Sequence, residues 1–336
     1  MTLPVIAVVG ATGVVGLEML DVLEKRSFPL AELRLLASPR SAGKKVRFRD
    51  EEVAVEPLAN DSFRGVDIAM FAAGSDVSKE HASKAVEAGA VVVDNSSAFR
   101  MSPGVPLVVP EWNASALDGH AGIIANPNCS TIILIMALAP LAQVAGLRRV
   151  VVSTYQAASG AGREAMEEMR ESTRCFLEGR SHEPQALPGS LAFNLFPHVD
   201  VFCEDAYTRE EDKMLHETRK ILGSPELLVE ATCVRVAVER CHSEAVTVEL
   251  DRSLSPEEAR AIFARAPGLI VRDEPGDYPV PAAMSGQDDV AVGRVRESRV
   301  FDGGLAFWLV GDQLRKGAAL NAVQIAELLL AKIDST

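Results

Sequence analysis

Few of the features that mark secreted, membrane-spanning or nucleic-acid-binding chains occur in this 336-residue sequence. Cysteine is sparse: Cys129, Cys175, Cys203, Cys233 and Cys241 make five, an odd number with no CxxC pair. That pattern argues against a disulfide framework and against a metal site, and points to reduced thiols in the cytoplasm. Positive charge is short too. Lys and Arg total 34 against 47 Asp and Glu, a formal net charge of −13. Such a balance disfavours nucleic acid or an anionic membrane as the main partner, while leaving room for a local basic pocket. The longest apolar stretch, Ile132 to Leu141, is too short to span a bilayer, and "MTLPVIAVVGATG" lacks the basic segment that opens a signal peptide. Repeats and low-complexity tracts are missing. What remains is 48% hydrophobic and 24% charged, over a length too great for one ordinary core, which predicts a globular chain of two domains.

The first part alternates short apolar runs with amphipathic segments. Strands are predicted at Val5–Val9, Leu33–Ala37, Ile68–Ala72 and Val91–Asp94, with helices at Gly13–Lys25 and Lys79–Ala88. This βαβ rhythm predicts a Rossmann-like, doubly wound parallel sheet. After Tyr155 the strands crowd together, at 232–238, 243–250, 268–273, 289–296 and 304–311, which predicts an α+β domain with a mixed sheet. A helix is predicted after Ser255, where Pro256 fits the first turn and Glu258 completes a capping box. Segment 180–199 reads as a long loop. "ALNAVQIAELLLAKI" reads as an amphipathic helix that returns to the first domain. The predicted division is therefore 1–127 plus 316–336 for the dinucleotide domain and 128–315 for the second.

"VIAVVGATGVVG" places Gly10, Gly13 and Gly16 after a strand and at the opening of a helix, with Thr12, Val14 and Val15 between them. Glycines there let backbone approach a pyrophosphate, whose charge meets the helix N–H groups; the alternative is a tight turn that binds nothing. The second strand runs into "SPRSAGKK", which carries Ser38, Arg40, Ser41 and Lys44 where an NAD site would carry a carboxylate. Hydroxyls and cations suit a 2′-phosphate, so NADP is the predicted cofactor; a solvated basic loop is the alternative.

In "NPNCSTIILIMAL" a helix starting near Ser130 puts Cys129 at its positive end, which favours thiolate over thiol, and Asn128 with the nearby amides can hold an oxyanion. The other four cysteines read as inert core residues. A thiol nucleophile needs a partner base, and periodicity does not choose among His81, His120, His182, His198, His216 and His242; His242 sits in what reads as a short link between strands. In "CVRVAV", Arg235 alternates away from Val234 and Val236, so the valines read as core and the guanidinium as either a surface ion pair or a carboxylate clamp.

Together "GATGVVG", "SPRSAG", "NSSAFR", "NPNCST", "TYQAASGAG", "REEDKM", "VRVAVERCHSEAV", "VGRVR" and "DQLRKGAALNAVQIAE" resemble the aspartate-β-semialdehyde dehydrogenases along nearly the whole chain. N-acetyl-glutamyl-phosphate reductases share the architecture but differ around their cysteine. The resemblance implies that Cys129 is the acyl-forming nucleophile, His242 the acid/base and Gln156 an orienter of the acyl group. It implies that Arg235 binds the substrate carboxylate, Glu210 the amino group, and Lys213 with Arg100 the phosphate. Glu210 and Lys213, three apart, share one helix face. Ser159, Gly160, Ala161, Gly162 and Gln313 are implied to meet the nicotinamide half of NADP. The implied reaction is reversible, NADPH-dependent reduction of L-aspartyl 4-phosphate to L-aspartate 4-semialdehyde and inorganic phosphate through a thioester, in lysine, threonine and methionine biosynthesis. The implied assembly is a homodimer through the second domain, in some members paired into a homotetramer.

Two residues depart from the family pattern. Cys241 stands where glycine is usual, which restricts the loop before His242 and raises the expectation of oxidation sensitivity; Ala237 stands where proline is common. The rival readings are a related enzyme acting on another acyl phosphate or acyl-CoA, and a non-catalytic protein that keeps the fold as a binding module.

Overall fold

Strands of four to six residues, buried over three or four of them, form the centre of a seven-stranded sheet in the first of two units of the computed structural model, which describes residues 3–333. This unit extends to Asn128 and resumes at Ala318. Its elements are β1 (Val5–Val9), α1 (Val14–Lys25), β2 (Glu32–Ala37), β3 (Lys45–Phe48), β4 (Glu51–Pro57), β5 (Ile68–Phe71), α2 (Ser75–Glu87), β6 (Val91–Asp94), α3 (Pro110–Asn113) and β7 (Ile123–Ala125). The sheet order is β3-β4-β2-β1-β5-β6-β7, parallel except for the β3–β4 pair. The chain steps one way from β1 to β2 and the other way to β5, so the carboxyl ends of β1, β2 and β5 surround a topological switch point. Helix Leu320–Ile333 places Leu320, Val323, Ala326 and Leu329 in one apolar cluster with Met19, Leu20 and Leu23 of α1. Arg26 clamps Glu327 through two 2.7 Å hydrogen bonds. The pair β3–β4 escapes the sequence reading because its charged alternation lies at the half-exposed edge.

The second unit is Cys129–Gly317. It contains α4 (Cys129–Ala145), β8 (Leu147–Gln156), α5 (Arg163–Leu177), β9 (Leu195–Phe196), α6 (Arg209–Leu222), β10 (Leu228–Val236), β11 (His242–Leu250), α7 (Pro256–Phe263), β12 (Leu269–Val271), α8 (Pro281–Met284), β13 (Val290–Glu297) and β14 (Leu305–Gly311). The sheet, ordered β12-β13-β14-β11-β8-β10-β9, mixes parallel and antiparallel pairs. Helix α4 is apolar on every side and buried from Ser130 to Leu141, as befits a helix that lies between a sheet and other helices. It packs on β8, β11, β13 and β14 and against α6 and α7. Ser255 and Glu258 form the capping box the sequence predicts for α7. A second box, Thr208 with Glu211, starts α6; Glu211 also accepts the Cys233 N–H at 2.9 Å and so ties α6 to β10.

Alternation along the strands sends one face to the helices. On β8 this face carries Val150, Val152, Thr154 and Gln156, and on β11 it carries His242, Glu244, Val246 and Val248. On β10 the buried face carries Ala231, Cys233 and Arg235, while Val234 and Val236 lie on the half-exposed side. The expected polarity of this strand is therefore reversed: the guanidinium lies inside, where polar partners await it.

Candidate active site

In the first unit the residues suited to a dinucleotide lie at the carboxyl ends of β1 and β2. Gly10 has φ +83°, and a Cβ there would lie 2.6 Å from the Ala72 carbonyl oxygen beyond β5. A Cβ at Gly16 would lie 2.3 Å from the Gly10 carbonyl oxygen, so glycine lets α1 press directly on the turn. Gly13 precedes α1, and no side chain caps that helix. Its first turn, with Val14 and Val15, thus offers N–H groups and a positive dipole end to an anion. Thr12 Oγ1 donates to Ser41 Oγ at 3.3 Å, which brings the glycine turn and the β2 loop together. Ser38 and Arg40 are exposed beside them, and the loop has no carboxylate. The cradle fits a dinucleotide.

Arg100 is buried in the same unit, where its guanidinium donates to the carbonyls of Asn126 (2.9 Å) and Asn95 (2.8 Å). Asn128 is buried at the end of this unit.

The second unit begins with Cys129 as the first residue of α4, partly exposed and packed against the Cα of Gly317. The other four cysteines differ from it. Burial, with Glu171 beside it, raises the Cys175 thiol; the Asp212 carboxylate raises Cys203; burial raises Cys233 and Cys241.

His242 is the first residue of β11, not part of a linking loop, and is fully buried. The turn after β8 holds it. The Ala157 N–H donates to His242 Nδ1 at 3.1 Å, and the Ala157 carbonyl accepts from Arg235 Nη1 at 2.6 Å. A Cβ on Gly160 would fall 3.0 Å from Arg235 Nη1 and 3.1 Å from His242 Nε2, so glycine admits both side chains. Among the described residues His242 Nε2 has no hydrogen-bond partner. Burial, then the Arg235 charge, depresses the ring to about 3, with Glu210 and the Cys241 carbonyl opposing. Because Nδ1 accepts a hydrogen bond, the neutral ring carries its proton on Nε2.

Gln156 ends β8 and is buried; its Nε2 donates to Glu210 Oε1 at 3.0 Å, and its Oε1 accepts from Thr154 at 3.2 Å. Glu210 is buried in the first turn of α6, and its Oε2 accepts from Lys213 at 3.0 Å. Lys213 also donates to Asp200 at 2.7 Å. Burial lowers the Lys213 pKa, and the two carboxylates overcome this and raise it. Gln313 accepts the Cys241 N–H at 2.8 Å and donates to Ser159. Ser159 and Gly160 lie in the short helical turn Ala158–Ala161 that leads to Gly162.

Cys241 has φ +75°, a conformation glycine takes without strain, which explains the family preference at this position. Its thiol is fully buried among Met284, Ala291 and Val310 and held protonated, so the expectation of an oxidation-prone group beside the site is not supported. Ala157, Thr154 and Asp200 escape the sequence reading. Ala157 acts only through its backbone and leaves no signal; Thr154 shares the face of Gln156, but the strand that carries both is not marked in the sequence.

Known proteins are similar to this chain along nearly its whole length. Residues 5–120 match the semialdehyde dehydrogenase NAD binding domain, and residues 138–316 match the semialdehyde dehydrogenase dimerisation domain. The aspartate-semialdehyde dehydrogenase of Aquifex aeolicus is 53% identical over 331 residues, 97% of each chain. That of Bacillus subtilis is 48% identical over 334 residues, 96% of each chain. The crystal structure of aspartate semialdehyde dehydrogenase II from Vibrio cholerae, complexed with ASA, superposes with a TM-score of 0.97 at 42% identity, covering 98% of this chain and 99% of the other. The enzyme from Candida albicans, solved with NADP, superposes at 0.76 with 25% identity, covering 98% of this chain and 99% of that one. The chain is an oxidoreductase with a nicotinamide-dinucleotide domain, and it belongs to the aspartate-semialdehyde dehydrogenase family.

Proposed function

We propose that the chain catalyses the reversible, NADPH-dependent reductive dephosphorylation of L-aspartyl 4-phosphate to L-aspartate 4-semialdehyde, through a thioester on Cys129, in the cytoplasmic synthesis of lysine (through diaminopimelate), threonine and methionine. The observation that carries this reading is the Ala157 peptide unit, which fixes a neutral imidazole with one bond and a buried guanidinium with the other. A cation for a carboxylate and a hydrogen-bond donor for a reacting oxygen are thereby held side by side.

In this reading the amides after Gly10, with Thr12, Gly13, Val14, Val15 and Gly16, hold the pyrophosphate, and Ser38, Arg40 and Ser41 hold the 2′-phosphate. Ser159, Gly160, Ala161, Gly162 and Gln313 hold the nicotinamide half. Arg235 takes the substrate carboxylate, Glu210 its ammonium, and Lys213 with Arg100 its phosphate. Gln156 orients the acyl group, and Asn128 supports the oxyanion.

The positive end of α4 favours the Cys129 thiolate. This thiolate attacks C4 of the acyl phosphate; the C–O bond to phosphorus breaks, phosphate departs with the bonding pair, and a thioester remains. The reduced nicotinamide supplies the hydride for reduction when it is bound. As negative charge gathers on the former carbonyl oxygen, His242 Nε2–H donates to it. The C–S bond then breaks, releasing the aldehyde and restoring the thiolate. The ring takes up no proton in these steps, in keeping with its low pKa, and serves as a hydrogen-bond donor in place of the acid/base that the resemblance implies.

The second unit's sheet leaves Val151 and Tyr155 exposed on the face away from α4, and this face is the proposed homodimer surface, with tetramers as a further pairing. Absorbance of the reduced nicotinamide, followed with L-aspartate 4-semialdehyde and either NADP or NAD, with and without inorganic phosphate, tests the function. Reduction that requires phosphate and prefers NADP is the expected result. Reduction indifferent to phosphate, or none from folded protein, overturns the proposal.

A further inference from the structure

Thr154 is fully buried on β8, two residues before Gln156, and the pleat puts both side chains on the face covered by helices. Its hydroxyl donates to Gln156 Oε1 at 3.2 Å, while Gln156 Nε2 donates to Glu210 Oε1 at 3.0 Å. A carboxylate only accepts, so Glu210 requires the amide nitrogen on its side; Thr154 supplies the donor the amide oxygen then needs. The two contacts specify one of the amide's two orientations. We infer that Thr154 is a positioning residue for the reaction: its hydroxyl fixes the Gln156 amide so that an N–H remains aimed at the bound acyl group.

The inference rests on the proposed role of Gln156 and adds a reason for a second group. When the substrate ammonium neutralises Glu210, the charge that orders the amide weakens, and the Thr154 hydroxyl becomes the main restraint on its orientation. The groups directly opposite Thr154 on β10 and β11 are neutral, and the nearest charge on β10, Arg235, is a cation that accepts no hydrogen bond. Cys233 stays protonated through burial, and Glu244, directly opposite Thr154, has its carboxyl held neutral in the same way. Neither competes as a charged acceptor for the hydroxyl, which also hydrogen-bonds the neutral Cys233 sulfur.

The test is a double-mutant cycle of Thr154→Val with Gln156→Ala, read as kcat and KM in the phosphate-dependent assay. Thr154→Val should lower kcat about tenfold, the worth of one buried hydrogen bond, with KM for the aldehyde changed by less than about twofold. Thr154→Ser should recover most of that loss. In the Gln156→Ala background, Thr154→Val should cost nothing further. Losses that multiply across the two sites, or a Thr154→Val enzyme of unchanged kcat, overturn the inference while leaving the role of Gln156 intact. An active Gln156→Ala enzyme overturns the role of Gln156 and the inference with it. Thr154→Cys, with a weaker donor of similar size, takes the place of valine in the cycle if Thr154→Val does not fold.

Discussion

The Ala157 backbone N–H meets His242 Nδ1 at 3.1 Å, and a backbone N–H only donates, so the imidazole nitrogen it faces is the unprotonated one. The ring enters the reaction neutral, with its proton on Nε2, buried and directed past Gly160. Nitrogen-15 NMR of histidine-labelled protein should place the His242 proton on Nε2 and show no titration between about pH 5 and 8, where ordinary histidines titrate. A His242 ring that titrates near 6.5 would contradict this. The stability sign follows. The unfolded ring binds a proton below its ordinary value of about 6.5 while the folded ring waits until about 3, so this contribution is complete above 6.5 and lost as pH falls toward 3.

Glu244 carries the opposite sign. It lies two residues beyond His242 on the same buried face, with neither carboxyl oxygen hydrogen-bonded among the described residues and its pKa raised well above the usual range by burial. Folding keeps it protonated where the unfolded chain would ionise, so its contribution is full below about pH 4.5 and is lost as pH rises. Glu244→Gln keeps the shape without the ionisation. The variant should gain thermal stability over the parent from pH 5 to 8, by at most about 1.4 kcal/mol per pH unit. Melting curves across that range check this; a constant difference would contradict it.

Gly160 is where the backbone comes close to both Arg235 and His242. A methyl there would fall about 3 Å from both the Arg235 guanidinium and the His242 ring, so Gly160→Ala should displace one of them. Misplacement of a reacting group by an ångström costs on the order of a hundredfold in rate. Steady-state kinetics should show a fall of roughly that size in kcat/KM, with a melting temperature close to the parent's. Unchanged kinetics would mean that the turn after β8 does not register these side chains.

Thiol chemistry separates Cys129 from its four counterparts. It is partly exposed at the start of α4; Cys203 is half-exposed too, not the core residue expected, but like the buried Cys175, Cys233 and Cys241 it is held toward the protonated form. Iodoacetamide near neutral pH should modify Cys129 at least tenfold faster than any other cysteine, read by peptide mass spectrometry. Equal labelling of Cys203 would remove the distinction.

The central strands of the first sheet, with β11 and β14 of the second, were legible because their burial is written as apolar runs, and the α7 cap because Ser255-Pro256-Glu257-Glu258 carries its own donors and acceptors. Strand β8 was not resolved as an element. Its buried face ends in Thr154 and Gln156, and its other face is half-exposed, so neither alternation nor hydropathy marks it. Arg235 misled for a related reason: the valines beside it suggested a core that the sheet places on the other face. The site residues themselves were reached through motif resemblance. Spacing alone left six histidines open, because the contact that selects His242 comes from a backbone amide 85 residues away.

Mass spectrometry of intact and digested protein after mixing with L-aspartate 4-semialdehyde and NADP, without phosphate, tests the covalent route most directly. An aspartyl adduct should form on Cys129, disappear when inorganic phosphate is added, and never form in Cys129→Ala. Full turnover with no adduct, or turnover that survives Cys129→Ala, would contradict a thioester at this residue.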